Sequence, residues 1–226
     1  MKTPKRILLI ISFALAISQA TFAKVPSELL TEPCVPDTSK SVQAQGRCNY
    51  VAVNDIPASP LSEAEKQGLI FMREEEKLAH DVYIALGEVW DIPIFNNISR
   101  SESVHMEAVL GLLDKYKIAD PVHDMKPGEF ANPDFTKLYQ TLVNQGNYSL
   151  IEALKAGALI EETDIADLQE RIKLSDNEDL KIVYTNLLQA SHRHIRAYSR
   201  NLASRDATYV PQRLSQQEFD EILSMD

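Results

Sequence analysis

The sequence predicts an all-α protein built on four long helices, with one long crossover between the second and third. Three observations carry that prediction. Only 7 glycines occur in 226 residues, too few for a turn-rich all-β chain. Apolar residues recur at three- and four-residue spacing in four long segments. No proline falls between Pro133 and Pro211, a stretch that holds two of those helices.

Residues 1–23 read as a secretory signal peptide. Lys2, Lys5 and Arg6 form a basic start, and Ile7 to Ile17 an apolar run broken only by Ser12. Thr21 and Ala23 are the small residues before a cut. The run is too short for an ordinary transmembrane helix, and no cysteine follows the cut, so no stable membrane anchor is expected. The expected destination is periplasmic or extracellular. Residues 24–60 hold five prolines and no sustained period, which predicts an extended arm. Cys34 and Cys48 are the two cysteines of the chain. In an oxidising compartment they are expected to close a disulfide, worth roughly 3 kcal/mol for a loop of this length.

The bundle itself is expected over 61–205. Ser62 with Glu65 forms a capping box, and Leu69, Met72, Ala79, Tyr83 and Leu86 carry a helix to about Val89, ahead of Pro93. A second helix is predicted from Ser99 or Arg100 to Lys117, with Val104, Val109, Leu112, Leu113 and Tyr116 on its stripe. A loop over 118–133 and a short helix over 134–144 follow. Ser149 caps a third long helix bearing Leu154, Ala158, Ile165 and Leu168. A fourth starts near Ser175, with acids in its first turn, where the helix dipole favours them, and carries Leu187, Ile195, Tyr198 and Leu202. Residues 206–226 form a tail with a short helix capped by Ser215. One long crossover is what the ferritin-like arrangement requires; a plain up-and-down bundle does not need it.

The formal net charge of −10 makes nucleic acid a poor partner, because phosphate binding needs a basic surface. It fits small cations better. The chemistry is expected where acids fall on apolar stripes. Glu102 and His105, spaced i and i+3, share one helix face with Val109 and Leu112. An unpaired carboxylate is costly to bury, and a metal ion or a buried arginine would compensate. Glu74, Glu75 and Glu76 span about 200° of helix, so at least one turns inward; spacing leaves Glu75 and Glu76 both open. Glu161 and Glu162 begin a similar segment, and each of the two segments precedes a helix bearing histidine, which suggests a duplicated hairpin. On the last long helix His194 is present, but Ser191 stands three residues before it.

Four blocks, MREEEKLAHDVY (72–83), ISRSESVHMEAV (98–109), GALIEETDIADL (157–168) and NLLQASHRHIRAY (186–198), resemble the signature blocks of the domain of unknown function 2202 family. The resemblance runs from about Leu61 to Leu202. It implies membership of the ferritin-like superfamily, beside rubrerythrins and bacterioferritins, and a metal centre of di-iron carboxylate type. The ligands it implies are Glu75 or Glu76, Glu102, His105, Glu161 or Glu162, and His194. Ser191 departs from the superfamily's usual glutamate. Iron, as a pair or a single ion, is the implied metal, with manganese or zinc as alternatives, and oxygen or peroxide as reactant. Three functions compete: a metal-dependent oxidoreductase of ferroxidase or peroxidase type, a metal-binding or buffering protein without turnover, and an interaction module whose buried glutamates are neutralised by arginine or lysine. A homo-oligomer is compatible with each. No hydrolase motif, phosphate-binding glycine loop or His-Glu-x-x-His stretch is present.

Overall fold

A computed structural model describes Val53 and residues 55–225. The signal segment, most of the arm, and Cys34 and Cys48 lie outside the described residues. Among the described residues the protein is all-helical: α1 (Glu63–Trp90), α2 (Pro93–Lys115), α3 (Pro133–Gly146), α4 (Leu150–Leu174), α5 (Glu178–Ala203) and α6 (Gln216–Ser224). No described helix is long and apolar enough to cross a membrane.

Local chemistry accounts for most of the boundaries. Ser62 Oγ accepts the Glu65 N–H while Glu65 accepts the Ser62 N–H, a complete capping box. Ser149 and Ser215 accept the N–H groups of Glu152 and Glu218 in the same way. α1 ends on Asp91, whose φ of 43° puts it in the left-handed region. α2 then begins at Pro93 rather than at Ser99. The proline starts this helix instead of merely ending the previous one: at the first helical position its missing N–H costs nothing and its fixed φ suits the helix. α5 is capped at Asn177, two residues after the predicted Ser175, with Glu178 and Asp179 in its first turn.

α1 packs along α2, and α4 along α5. α1 also contacts α4, α2 contacts α5, α3 bridges α1 and α4, and α6 lies on α5. The apolar interior falls into two clusters. One holds Val82, Tyr83, Leu86, Phe95, Leu154, Ala158, Ile195 and Tyr198; the other holds Leu69, Met72, Val109, Leu112, Leu113, Leu180, Tyr184 and Leu187. Beside these clusters α1, α2, α4 and α5 also bury polar side chains. Glu76 is 1% exposed, Glu102 3%, Glu161 2% and Ser191 1%.

The charged run of α1 departs from the usual solvated face. Arg73, Glu74, Glu75, Glu76 and Lys77 are all buried. The segment between α2 and α3 covers the outer side of α1, and the run holds it there. Arg73 donates to Asp120 and to the Met106 carbonyl, Glu74 accepts the Asn132 N–H, and Lys77 bonds Asp81 and the Lys126 carbonyl. Asp81 in turn accepts the Gly128 N–H.

Candidate metal centre

Glu76, Glu102, His105, Glu161 and His194 come together in the polar layer, each from a helix face that the backbone fixes. Two groups have ligand atoms within 4.8 Å of one another, Glu76 with Glu102 and His105, and Glu102 with Glu161 and His194. Glu102 belongs to both. Its Oε2 lies 2.7 Å from His105 Nδ1, and its Oε1 lies 3.0 Å from His194 Nδ1. Each histidine is closed by its own glutamate: Glu76 Oε2 is 3.2 Å from His105 Nδ1, and Glu161 Oε2 is 3.3 Å from His194 Nδ1. The two rings stack with centroids 5.7 Å apart. Ser101 Oγ approaches the outer nitrogen of His105, at 3.4 Å. The Tyr83 hydroxyl donates to Glu161 Oε1 at 2.5 Å.

The electrostatics follow from this crowding. Burial raises Glu102, but the adjacent histidines outweigh it and hold its carboxyl well below the usual range. Burial likewise pushes Glu76 up to about 7, against the pull of His105. Glu161 is raised by burial and by Glu102, against the pull of His194. Burial lowers both histidines, yet the carboxylates prevail: His105 is raised well above its ordinary value, and His194 to about 10. Among the described residues no lysine or arginine pairs with Glu76, Glu102 or Glu161.

The residues present fit a metal ion. Glu76 Oε1 and Glu102 Oε1 are buried and accept no hydrogen bond, although His194 Nδ1 sits 3.0 Å from the latter without bonding alignment. A buried acceptor left unpaired costs about 1–3 kcal/mol, more when charged, and a cation removes that cost. Carboxylates with imidazole nitrogens suit iron, manganese or zinc.

Two of the predicted residues lie elsewhere. Glu162 faces away from the layer, because its Oε1 accepts the N–H groups of Gln212, Arg213 and Leu214 and its Oε2 accepts the Tyr209 hydroxyl. It fastens the C-terminal tail to α4. Glu75 is buried beside Asp167 and Asp164, outside both ligand groups; burial, then those carboxylates, push its pKa far up. His80 bonds Asp81 at the edge of the layer and does not join the set. The two segments therefore match with an offset of one residue from the simplest alignment: Glu76 answers to Glu161, not to Glu162.

A family described as "Uncharacterized protein domain (DUF2202)" matches residues 65–226. The chain belongs to this family. It is 51% identical over 172 residues to "Uncharacterized protein MJ0754" of Methanocaldococcus jannaschii, covering 76% of this chain and 93% of that protein. The crystal structure of hypothetical protein MJ0754 from Methanococcus jannaschii matches with a TM-score of 0.75 at 50% identity. That match covers 76% of this chain and 98% of the other.

One buried residue of this DUF2202 protein escaped the sequence reading. Asp164 is 6% exposed and accepts the Ser191 hydroxyl on Oδ2, while Oδ1 is unpartnered. Burial, with Glu76, Glu161 and Glu102 nearby, drives its pKa well above the usual range. Its position three residues after Glu161, on the same helix face, was the available signal.

Proposed function

We propose that this DUF2202 protein is an exported, ferritin-like metal-binding protein whose centre takes two transition-metal ions, iron first, and uses them in oxidoreductase chemistry of ferroxidase or peroxidase type. The observation that carries the reading is the division of Glu102. Each of its oxygens faces a different histidine, and each histidine is closed by a separate glutamate. That is how one carboxylate serves two ions. The side-by-side pairs α1–α2 and α4–α5, with a long segment and α3 between them, support a ferritin-like connection. The basic and apolar start of the sequence supports export.

In this reading Glu76 and His105 would hold one ion and Glu161 and His194 the other, with Glu102 available to each. A bound redox metal with open coordination positions supplies the reaction with oxygen or peroxide. The chain's own residues bind, orient and exclude water. Tyr83 fixes Glu161 through its hydroxyl, and the apolar clusters on either side keep the layer dry.

Ser191 favours a second reading, a metal buffer without turnover, because it leaves the last helix without a second carboxylate to share between the ions. Metal analysis of natively purified protein, followed by Fe(II) oxidation assays with oxygen and with peroxide, separates the two. The oxidoreductase reading expects about two irons per chain and catalytic Fe(II) oxidation. Reversible binding without oxidation supports the buffer, and failure to take up Fe(II), Mn(II) or Zn(II) overturns both.

A further inference from the structure

The two helix pairs offer one carboxylate fewer at one corner and one more at another. In the first pair the inward positions are Glu76, then Ala79 three residues on, with Glu102 and His105 on the partner helix. In the second pair the corresponding positions are Glu161, Asp164, Ser191 and His194. The acid missing at Ser191 is matched by an acid at Asp164, where α1 has only alanine. The two side chains touch: the Ser191 hydroxyl donates to Asp164 Oδ2 and also approaches the Leu187 carbonyl, 3.0 Å away.

We infer that Asp164 is a ligand of this metal centre, supplying from α4 the shared carboxylate that position 191 lacks. The inference rests on the metal-binding reading above. Three further observations support it. Asp164 is buried, and its Oδ1 has no hydrogen-bond partner. It lies three residues after Glu161 on the same face of α4 and contacts Ser191, which stands three residues before His194 on α5, so it borders the second half of the site although its oxygens fall outside both ligand groups. Among the described residues it forms no ion pair with lysine, arginine or histidine, so no protein cation accounts for its burial. An acid serving only as an acceptor for serine needs one oxygen, and a neutral amide would do the same work with less desolvation cost. Ser191 then has a role of its own: it fixes the Asp164 rotamer by holding Oδ2.

The test uses the full chain and Co(II) alone, followed by equilibrium dialysis and by the visible absorption of the bound ion. Wild type is expected to bind about two Co(II) per chain. Asp164→Asn keeps the shape and the acceptor for Ser191 but removes the ligand charge; Co(II) affinity is expected to fall at least ~10-fold, with a changed absorption spectrum. Ser191→Ala is expected to keep both ions. The double variant Asp164→Ser with Ser191→Glu, which moves the acid to α5, is expected to recover affinity relative to Asp164→Asn. The metal-free Asp164→Asn protein should melt no lower than wild type by circular dichroism. Wild-type Co(II) binding in Asp164→Asn overturns the assignment while leaving the metal centre intact, and so does a loss in Ser191→Ala as large as in Asp164→Asn. A lowered melting point for metal-free Asp164→Asn makes the residue structural and also overturns it. A wild-type chain that binds no Co(II) overturns the metal-binding reading beneath it.

Discussion

The helix pair α1–α2 and the helix pair α4–α5 reach the same centre with different side chains. Each contributes one glutamate from its first helix and one histidine from its second, at nearly equal separations of 3.2 and 3.3 Å. Each also turns a charged outer face of its first helix toward a covering segment. α1 holds the crossover through Arg73, Glu74 and Lys77, and α4 holds the C-terminal tail through Glu162. The pairs differ in where the remaining acid stands, Glu102 on α2 against Asp164 on α4, and in how bulk is shared. One turn before the inward glutamate, α1 carries Met72 and α4 carries Gly157. One turn after the histidine, α2 carries Val109 and α5 carries Tyr198. Large faces small in the second pair: a Cβ on Gly157 would lie 2.3 Å from the Tyr198 ring. The difference teaches that the glutamate–histidine geometry around Glu102 is the same in both pairs while individual positions trade charge and volume across the helix–helix contact.

That comparison can be broken most severely at the histidines. His105→Ala and His194→Ala should each strip the half to which they belong, so metal analysis should find about one ion per chain in either variant instead of about two. A loss of both ions in one variant and none in the other would mean that the halves are not equivalent.

Next in size is the outer face of α1. Lys77 sits 2.5 Å from Asp81, and both are buried. Lys77→Met leaves Asp81 with only His80 and the Gly128 N–H as partners and is expected to cost about 3 kcal/mol, read as a shift of the urea midpoint. Metal stoichiometry should be unchanged, because the residue holds the crossover and not the ions.

Gly157→Ala tests the traded volume. Tyr198 is fully buried and cannot move without displacing Tyr83, 5.6 Å away between centroids. The expected cost is about 1–3 kcal/mol. Adding Tyr198→Phe, which keeps the ring, should not recover it, whereas Tyr198→Leu should recover part.

The smallest effect concerns an end of the molecule where the pairs meet. Glu65 accepts the N–H groups of Asp176 and Asn177 as well as that of Ser62, so it ties the start of α1 to the turn before α5. Burial opposes ionisation, but these donors hold its pKa down to about 2, below the ordinary 4.5. A depressed carboxylate contributes stability above pH 4.5 and loses it as pH falls toward 2. Glu65→Gln should therefore cost roughly 1–2 kcal/mol at neutral pH, and the gap to wild type should close as unfolding is followed into acid. A gap that stays constant with pH would assign the loss to packing.

Much of this was legible in the sequence because it is local. The caps at Ser62, Ser149 and Ser215 depend on a residue three positions on, and the pairing of Glu102 with His105 depends on one turn of one helix. What was not legible depends on contacts far along the chain. Glu75 and Glu76 sit 100° apart on α1, and both are buried, so no stripe could choose between them; α4 supplies Asp167 for one and α2 supplies His105 for the other. Glu162 is drawn outward by backbone N–H groups fifty residues later. Pro93 was ambiguous because a proline both ends one helix and starts the next. Asp164 makes sense only once α4 lies against Ser191.

The most direct test is a titration of the metal-free full chain with Fe(II) under anaerobic conditions, beside Glu102→Ala. Wild type is expected to saturate near two ions per chain, and Glu102→Ala to lose tight binding of both, because the single carboxylate that faces both histidines is gone. Uptake by Glu102→Ala equal to wild type, or no uptake by wild type, would contradict a centre organised around Glu102.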